Sequence, residues 1–380
     1  MDTKTNSPEE INKVDETPSA ANTTKTNSED LLFDNMLMQN LSYEQIKKLL
    51  GDSKSLLAKH LTEEVFNEYK DVKTSSWTTL YDIIRSCLKH PQSKIGMYAG
   101  DVESYETFSK LFTPTIHDFH AVNSDAVYNG ELGEIKLDLH LDPNAYGDIR
   151  IRMGANLQSR FPSTQNKEEA ENVEAQVTDV LVKNFGGQYF SAADTAPEQW
   201  EEWQKKGWGF PLKDDYLEDA GIIKDFWPRG SGMWMDDPTN PTVIIIVNEE
   251  DHIRFTGFHR DMQEVYDKVS KIYNTLEKEL PFAKHEKYGN LGSCPSNIGH
   301  MFKSGIRIKF PKLLASSSIE DLRAIAKEYG CEIRGQGGES SKSFDVMEVS
   351  NSRRFMSPQE AVQKWATLLN RLTDMENAIQ

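Results

Sequence analysis

The spacing of apolar residues changes character once along this chain of 380 residues, and that change limits the possible folds more than any other feature. From Leu31 to about residue 118, LLFDNMLMQNLSYEQIKKLL, SLLAKHLTEEVFNEYK and WTTLYDIIRSCLKH set apolar side chains three and four apart, the period of a helix with one buried face. Beyond about residue 120 the period shortens to two in IKLDLHL (135–141), GDIRIRM (147–153), TVIIIV (242–247), HIRFTGF (252–258), IRIKF (306–310) and FDVMEV (344–349), which reads as strands. Helix-like stretches lie between them, and the last opens at Ser357-Pro358-Gln359-Glu360, with a Ser cap, a Pro in the first turn and a Glu three residues on. NEED is a short turn joining TVIIIV to HIRFTGF. The expected fold is therefore α+β: a small all-helical unit over 31–118, a linker over 119–145, and a larger domain over 146–380 with an antiparallel sheet flanked by helices.

Residues 1–30 contain no Leu and no aromatic side chain, so a disordered tail is expected there. With 43 basic against 60 acidic side chains the net charge is −17, which argues against binding nucleic acid through bulk charge. The sequence shows neither an apolar run of the roughly 20 residues a membrane helix needs nor a secretory or transit leader, so the expected location is the cytoplasm. Cys87, Cys294 and Cys331 are expected to be free thiols.

Phosphate-loop and dinucleotide signatures are missing, so any phosphate must be held by side chains. Arg150 and Arg152 alternate on one strand and face the same way, as a solvated face or as an anion site. Asn248-Glu249-Glu250-Asp251 is either a polar hairpin tip or a cluster of functional carboxylates at the end of a buried strand. Cys294-Pro295-Ser296-Asn297 places a thiol in a turn, as inert filler or as a thiolate beside a hydroxyl. The glycine-rich stretch Arg334 to Glu339 is a connector or a lid. Trp200, Trp203 and Trp208 read as packing, and the Cys87/His90 and His117/His120 spacings are poor zinc candidates.

Taken in order, VNEEDHIR (247–254), CPSN (294–297), Arg334-Gly335-x-x-Gly338-Glu339 and SNSRR (350–354) closely resemble the motifs of the phosphagen kinases, the ATP:guanidino phosphotransferases. IGMYAGDVESYETFSKLF, from Ile95, is similar to that family's guanidino specificity loop. The resemblance implies reversible transfer of the terminal phosphoryl of MgATP to a guanidino nitrogen, with Mg2+ held by phosphate oxygens and water. It implies that Glu250 and Glu339 grip the guanidinium, one serving as base, while Cys294 as thiolate sits against the non-reacting nitrogen with Ser296 beside it. It also implies that Arg150, Arg152, Arg254, Lys303, Arg307 and Arg334 surround the nucleotide, and that Ser93, Ile95, Gly96 and Tyr98 hold the amino-acid end of the substrate.

Glu339 and a short loop with Tyr98 make the chain most like an arginine kinase, so L-arginine is the expected substrate; taurocyamine or another guanidino acid is the alternative. Several positions depart from the family. Lys303 stands for an Arg, Arg307 for an adenine-stacking His, Lys94 for a Gly, and Gly154-Ala155-Asn156 for Gly-Arg-Ser. These changes cluster on the nucleotide side and raise a rival reading, an impaired relative acting as a binding or scaffold subunit. Transfer to arginines within proteins fits less well, because the small-substrate loop is intact. Monomer and homodimer are both compatible with the sequence.

Overall fold

Side-chain caps start the helices where the sequence breaks from an extended residue into an apolar period. In the computed structural model, Ser42, Thr79, Asn166, Ser318 and Ser357 each accept from the backbone amide three residues on, and the acid or amide at that residue bonds back. The structure describes residues 40–141, 146–335 and 344–379. The expected tail at 1–30, residues 31–39 of the first helical run, residues 142–145 of the expected linker, and the 336–343 stretch with Glu339 lie outside the described residues.

The N-terminal part is helical as expected: α1 (Tyr43–Leu50), α2 (Leu56–His60), α3 (Glu63–Tyr69), α4 (Leu80–Lys89), α5 (Ser104–Thr107) and α6 (Ser109–His120). Their apolar faces meet around Ile46, Leu57, Phe66, Ile83, Ile84, Phe108 and Phe112, all buried. The chain then forms an antiparallel sheet of eight strands: β1 (Tyr146–Ala155), β2 (Gln188–Ser191), β3 (Gly232–Met235), β4 (Val243–Val247), β5 (Ile253–His259), β8 (Lys303–Ile308), β9 (Cys331–Gly335) and β10 (Met347–Asn351), in the order β2-β3-β4-β5-β1-β8-β10-β9. A separate short pair, β6 (Lys284–His285) and β7 (Gly289–Asn290), makes a small hairpin. Helices α7 (Lys167–Phe185), α10 (Met262–Glu279), α12 (Ile319–Glu328) and α13 (Pro358–Ala378) supply the rest of the main core.

The two faces of the sheet differ, and that difference positions the site. Ile149, Ile151, Met153, Ile306, Ile308, Ile333, Met347 and Val349 point into the main core. Between them along the same strands, Arg150, Arg152, Arg307, Glu332, Arg334 and Glu348 point the other way. At the β2–β4 end the second face is also covered: Met233, Met235, Ile244 and Ile246 pack with Trp200, Trp203 and Phe210, from α8 (Pro197–Lys205) and the loop after it. Burial on both sides explains why 243–247 is a continuous apolar run rather than an alternating one. Trp200 and Trp203 pack as expected, and half-buried Trp208 packs against the same cluster, with Lys206 Nζ 4.8 Å from its ring.

One predicted strand is not a strand. Residues 135–141 alternate in burial, with Ile135, Leu137, Leu139 and Leu141 toward the core, yet they pair with no sheet. Helix α13 satisfies their backbone instead: Gln359 Oε1 accepts from Lys136 N at 2.6 Å and Asn370 Oδ1 from His140 N at 2.9 Å. In return Gln359 Nε2 donates to the carbonyl of Lys136 and Asn370 Nδ2 to that of Asp138. Side-chain amides on a helix therefore do the work of a neighbouring strand, and period two alone cannot distinguish the two arrangements.

Among the described residues no helix is long and apolar enough to cross a membrane. The strap held by α13 yields the first prediction. Asn370→Ala removes both of its bonds and lowers stability by about 1–2 kcal/mol. Hydrogen exchange should accelerate at 135–141 before it does in the sheet; uniform acceleration would contradict the strap.

Candidate active site

The hairpin between β4 and β5 ends in a tip that its own residues hold rigid. Asn248 takes a left-handed conformation, φ +51°. Its Nδ2 donates to the carbonyls of Gly230 and Ala170 at 2.6 and 2.9 Å, and its own carbonyl accepts from Ser231 Oγ. The three following carboxylates then diverge. Glu249 Oε2 pairs with Arg254 at 2.7 Å. Asp251 turns inward and accepts from Asn156 Nδ2 at 2.8 Å, Ser293 N at 2.6 Å and Asn297 Nδ2 at 3.1 Å. Glu250 faces the cavity with one weak donor, Asn297 Nδ2 at 3.3 Å. Burial, followed by the nearby charges of Asp251 and Glu249, pushes the Glu250 carboxyl well above the usual carboxylate range.

Asp251 thus ties the hairpin to the turn carrying Cys294. That turn is fixed from the helical side as well, since Tyr105 donates to the carbonyl of Gly292 at 2.7 Å and Ala99 N to that of Ser293 at 2.6 Å. Ser296 Oγ lies 3.2 Å from Cys294 Sγ, as the resemblance implies. The electrostatics of this corner run against the implied thiolate. Burial and the neighbouring Glu250 push the thiol up to about 12, and the Ser296 hydroxyl only partly offsets them.

The cationic face lies beside this acidic corner. Arg152 is register partner to Lys303 on one side, and Arg254 stands opposite Gly154 on the neighbouring strand. Arg307 and Arg334 flank Glu348. Burial pulls Arg152 well below the usual arginine value and Arg150 down to about 10. Buried Nε atoms of Arg150, Arg152 and Arg254 have no hydrogen-bond partner among the described residues. Such cations persist in a fold when an anion is meant to meet them. In a chain of net charge −17, this face is a local reversal of sign.

Most of the residues read from sequence meet in one cavity of about 540 Å³, lined by Ser93, Ile95, Gly96, Tyr98, Glu250, Cys294, Lys303 and Arg334. Arg152 and Arg254 line a cleft of about 100 Å³ that shares Glu250, Asn297 and Arg354 with it or borders it. Arg150 and Arg307 lie apart, in an outer cavity of about 680 Å³ that also contains Trp208. The 93–98 loop is pinned from two sides: Leu56 N and Leu57 N donate to the carbonyls of Lys94 and Ile95, and Tyr98 N to that of Ile83. Gly96 is required there, because its φ is +87° and a Cβ would lie 2.5 Å from Cys87 Sγ. The Ser93 amide is already bonded to the carbonyl of His90 at 3.0 Å.

Reading the sequence assigned no role to Asn297, Asp251, Arg353, Arg354 or Glu332, all of which line these cavities. Four of them sit inside quoted motifs, so the signal was present without a role attached. Glu332 lies outside every motif, and only its alternation with Arg334 places it on this face. Arg354 is half-buried near Glu250 and Cys294; desolvation lowers its pKa, and those two groups oppose the shift.

Residues 170–379 match the family model of the ATP:guanido phosphotransferase C-terminal catalytic domain, and residues 51–117 that of the N-terminal domain. An arginine kinase of Penaeus vannamei is 32% identical over 337 residues, covering 86% of this chain and 93% of the relative. An arginine kinase of Callinectes sapidus is 32% identical over 352 residues, covering 89% and 97%. A duplicated taurocyamine kinase from Schistosoma mansoni, solved with bound transition state analog components, has a TM-score of 0.80 at 25% identity over 89% of this chain and 48% of that one. The chain thus spans about half the length of that duplicated protein. A lombricine kinase structure shares the fold, with a TM-score of 0.77 at 24% identity over 87% of this chain and 93% of that one. With both family domains matched and relatives at this identity along most of its length, the chain belongs to the phosphagen kinases, the ATP:guanido phosphotransferases.

Proposed function

We propose that this phosphagen kinase transfers the γ-phosphoryl of MgATP to L-arginine, giving phosphoarginine, ADP and a proton, and that it works in the cytoplasm as a monomer or homodimer. One observation supports the reading above the others: a single cavity is lined by a carboxylate and a thiol, Glu250 and Cys294, together with the basic side chains Lys303, Arg334 and Arg354. A guanidinium is a poor nucleophile until it is aligned and deprotonated, and a carboxylate of raised pKa can do both. In this reading Glu250 grips one edge of the guanidinium and takes its proton. Glu339, which lies outside the described residues, keeps the guanidinium-gripping role that the resemblance implies. Cys294 meets the non-reacting nitrogen and becomes thiolate as the cation arrives.

On the nucleotide side, Arg152, Arg254, Lys303 and Arg334 neutralise the charge on the transferring group, while Arg150 and Arg307 hold the outer part of the nucleotide. Mg2+ enters as MgATP, held by phosphate oxygens and water; a cationic donor set suits a metal brought by the polyphosphate. Arginine is favoured by Glu339, by the ungapped 93–98 loop with Tyr98, and by the arginine kinases among the relatives. Taurocyamine is the second reading, favoured by Lys94, which adds a cation to the cavity wall within that loop and suits a sulfonate tail. A coupled ADP-release assay with arginine, taurocyamine, glycocyamine and creatine decides between them. Arginine should give the highest kcat/KM, and no turnover of any guanidine by folded protein would return the scaffold reading.

Two variants test the assigned roles. The raised pKa of Glu250 means that the empty fold retains a proton the unfolded chain releases. That contribution is complete below the unfolded value of about 4.5 and is lost as pH rises through the folded value. Glu250→Gln should therefore raise the melting temperature of the ligand-free protein at pH 8 while cutting turnover by about 10²–10⁴. Wild-type protein should release protons on binding arginine, seen by calorimetry in buffers of different ionisation enthalpy, and the variant should release fewer. Arg152→Met should likewise stabilise the ligand-free protein, by removing a half-buried cation whose Nε has no hydrogen-bond partner among the described residues, and lower kcat by about 10²–10³. Unchanged kcat would remove Arg152 from the phosphate site.

A further inference from the structure

The roles given above leave one carboxylate of the main cavity unused. Glu332 lies on β9 on the cationic face, and it holds two of the side chains assigned to phosphate. Its Oε1 accepts from Lys303 Nζ, and its Oε2 accepts from Arg334 at 3.0 Å. The register explains the long reach to Lys303. Glu332 stands opposite Ser350, and Ser350 opposite Gly305, so two small residues leave a trough on this face between Glu332 and the strand that carries Lys303. The buried Ser350 hydroxyl has no hydrogen-bond partner among the described residues.

The groups on either side respond to each other. Burial pulls the Lys303 ammonium down to about 8, and Glu332 opposes that shift. Burial pushes Glu332 up, but Lys303 and Arg334 outweigh it and hold the carboxyl below the usual range. Arg152, the register neighbour of Lys303, has no carboxylate in ion-pair contact among the described residues, and its buried Nε has no acceptor among them. Part of the face is therefore open to an anion and part is already occupied by one belonging to the chain.

We propose that Glu332 is an affinity-setting residue, a built-in counter-anion that competes with the nucleotide's phosphates for Lys303 and Arg334. The proposal rests on the phosphate reading of this face. A phosphate oxygen and a carboxylate oxygen cannot share the same N–H donors at contact distance without strong repulsion, so each nucleotide must part the Glu332 pairs or accept a charged neighbour. The enzyme thereby binds nucleotide more weakly than its basic residues alone would allow, and ADP leaves faster. A merely structural Glu332, one that holds Lys303 in place for phosphate, predicts the opposite sign.

Calorimetric titration of MgADP, and separately of inorganic tripolyphosphate, into wild type, Glu332→Gln and Glu332→Asp tests this. Gln keeps the size and an acceptor oxygen for Lys303 while removing the charge. It should tighten both ligands about tenfold, the scale of one like charge removed at close range in a partly buried site, and lower KM for MgATP with KM for the guanidino substrate unchanged. Asp should restore wild-type affinity. Glu332→Ser, a small neutral residue suited to the trough, should change affinity in the same direction as Gln if Gln perturbs folding. Equal or weaker binding by both neutral variants overturns the proposal while leaving the phosphate reading intact. Failure of the wild type to bind either ligand overturns both.

Discussion

The structure depends on desolvated charge of both signs held a few residues apart. Cys294 is buried and Glu250 half-buried where desolvation disfavours their charged forms, and Arg150, Arg152 and Arg354 are half-buried where desolvation also disfavours theirs. Among the described residues none of these groups finds full compensation. A guanidinium against the first pair and a polyphosphate against the second would relieve both sets at once, which is how an active site concentrates stabilisation on the bound and reacting state. The cost falls on the empty protein and is offset by the apolar cores on the other face of the sheet and at its β2–β4 end.

Rigid supports keep the two charge sets apart. Asp251 is the strut of the acidic corner, with acceptor oxygens taken by Asn156, Ser293 and Asn297, so it braces the hairpin against the Cys294 turn rather than facing substrate. Buried His120 performs a similar task further back, with Nε2 3.1 Å from the carbonyl of Pro295 and Nδ1 accepting from Arg354 N at 3.4 Å. Burial takes His120 down to about 3, so it stays neutral and its hydrogen-bond roles do not change near neutral pH. The site is thus built on strand ends and braced turns, where small displacements are resisted.

Legibility in the sequence followed from how local each signal was. Strands β1 and β5 were read directly, because alternation and flanking turns are local properties. Strands β3 and β9 were not: Gly232–Met235 is short and buried on both sides, and Cys331–Gly335 alternates apolar with charged residues that take meaning only from neighbouring strands. Residues 135–141 misled for the opposite reason, having the right period but helical side chains as partners. Within the site, Glu250, Cys294 and the 93–98 loop were legible as motifs. The upward push on the Cys294 thiol was not, since it comes from burial and from a carboxylate more than forty residues away in sequence. Asn297 and Glu332 gained roles only once the fold placed them between charges.

The most direct test of the central claim is a calorimetric titration of MgADP in the presence and absence of L-arginine and nitrate, a planar anion that mimics the phosphoryl group in flight. If the acidic corner and the cationic face act as two halves of one site, arginine and nitrate together should tighten MgADP well beyond the sum of their separate effects. If well-folded protein binds MgADP with the same affinity whether or not both are present, the two charge sets do not meet across a shared ligand, and the account fails.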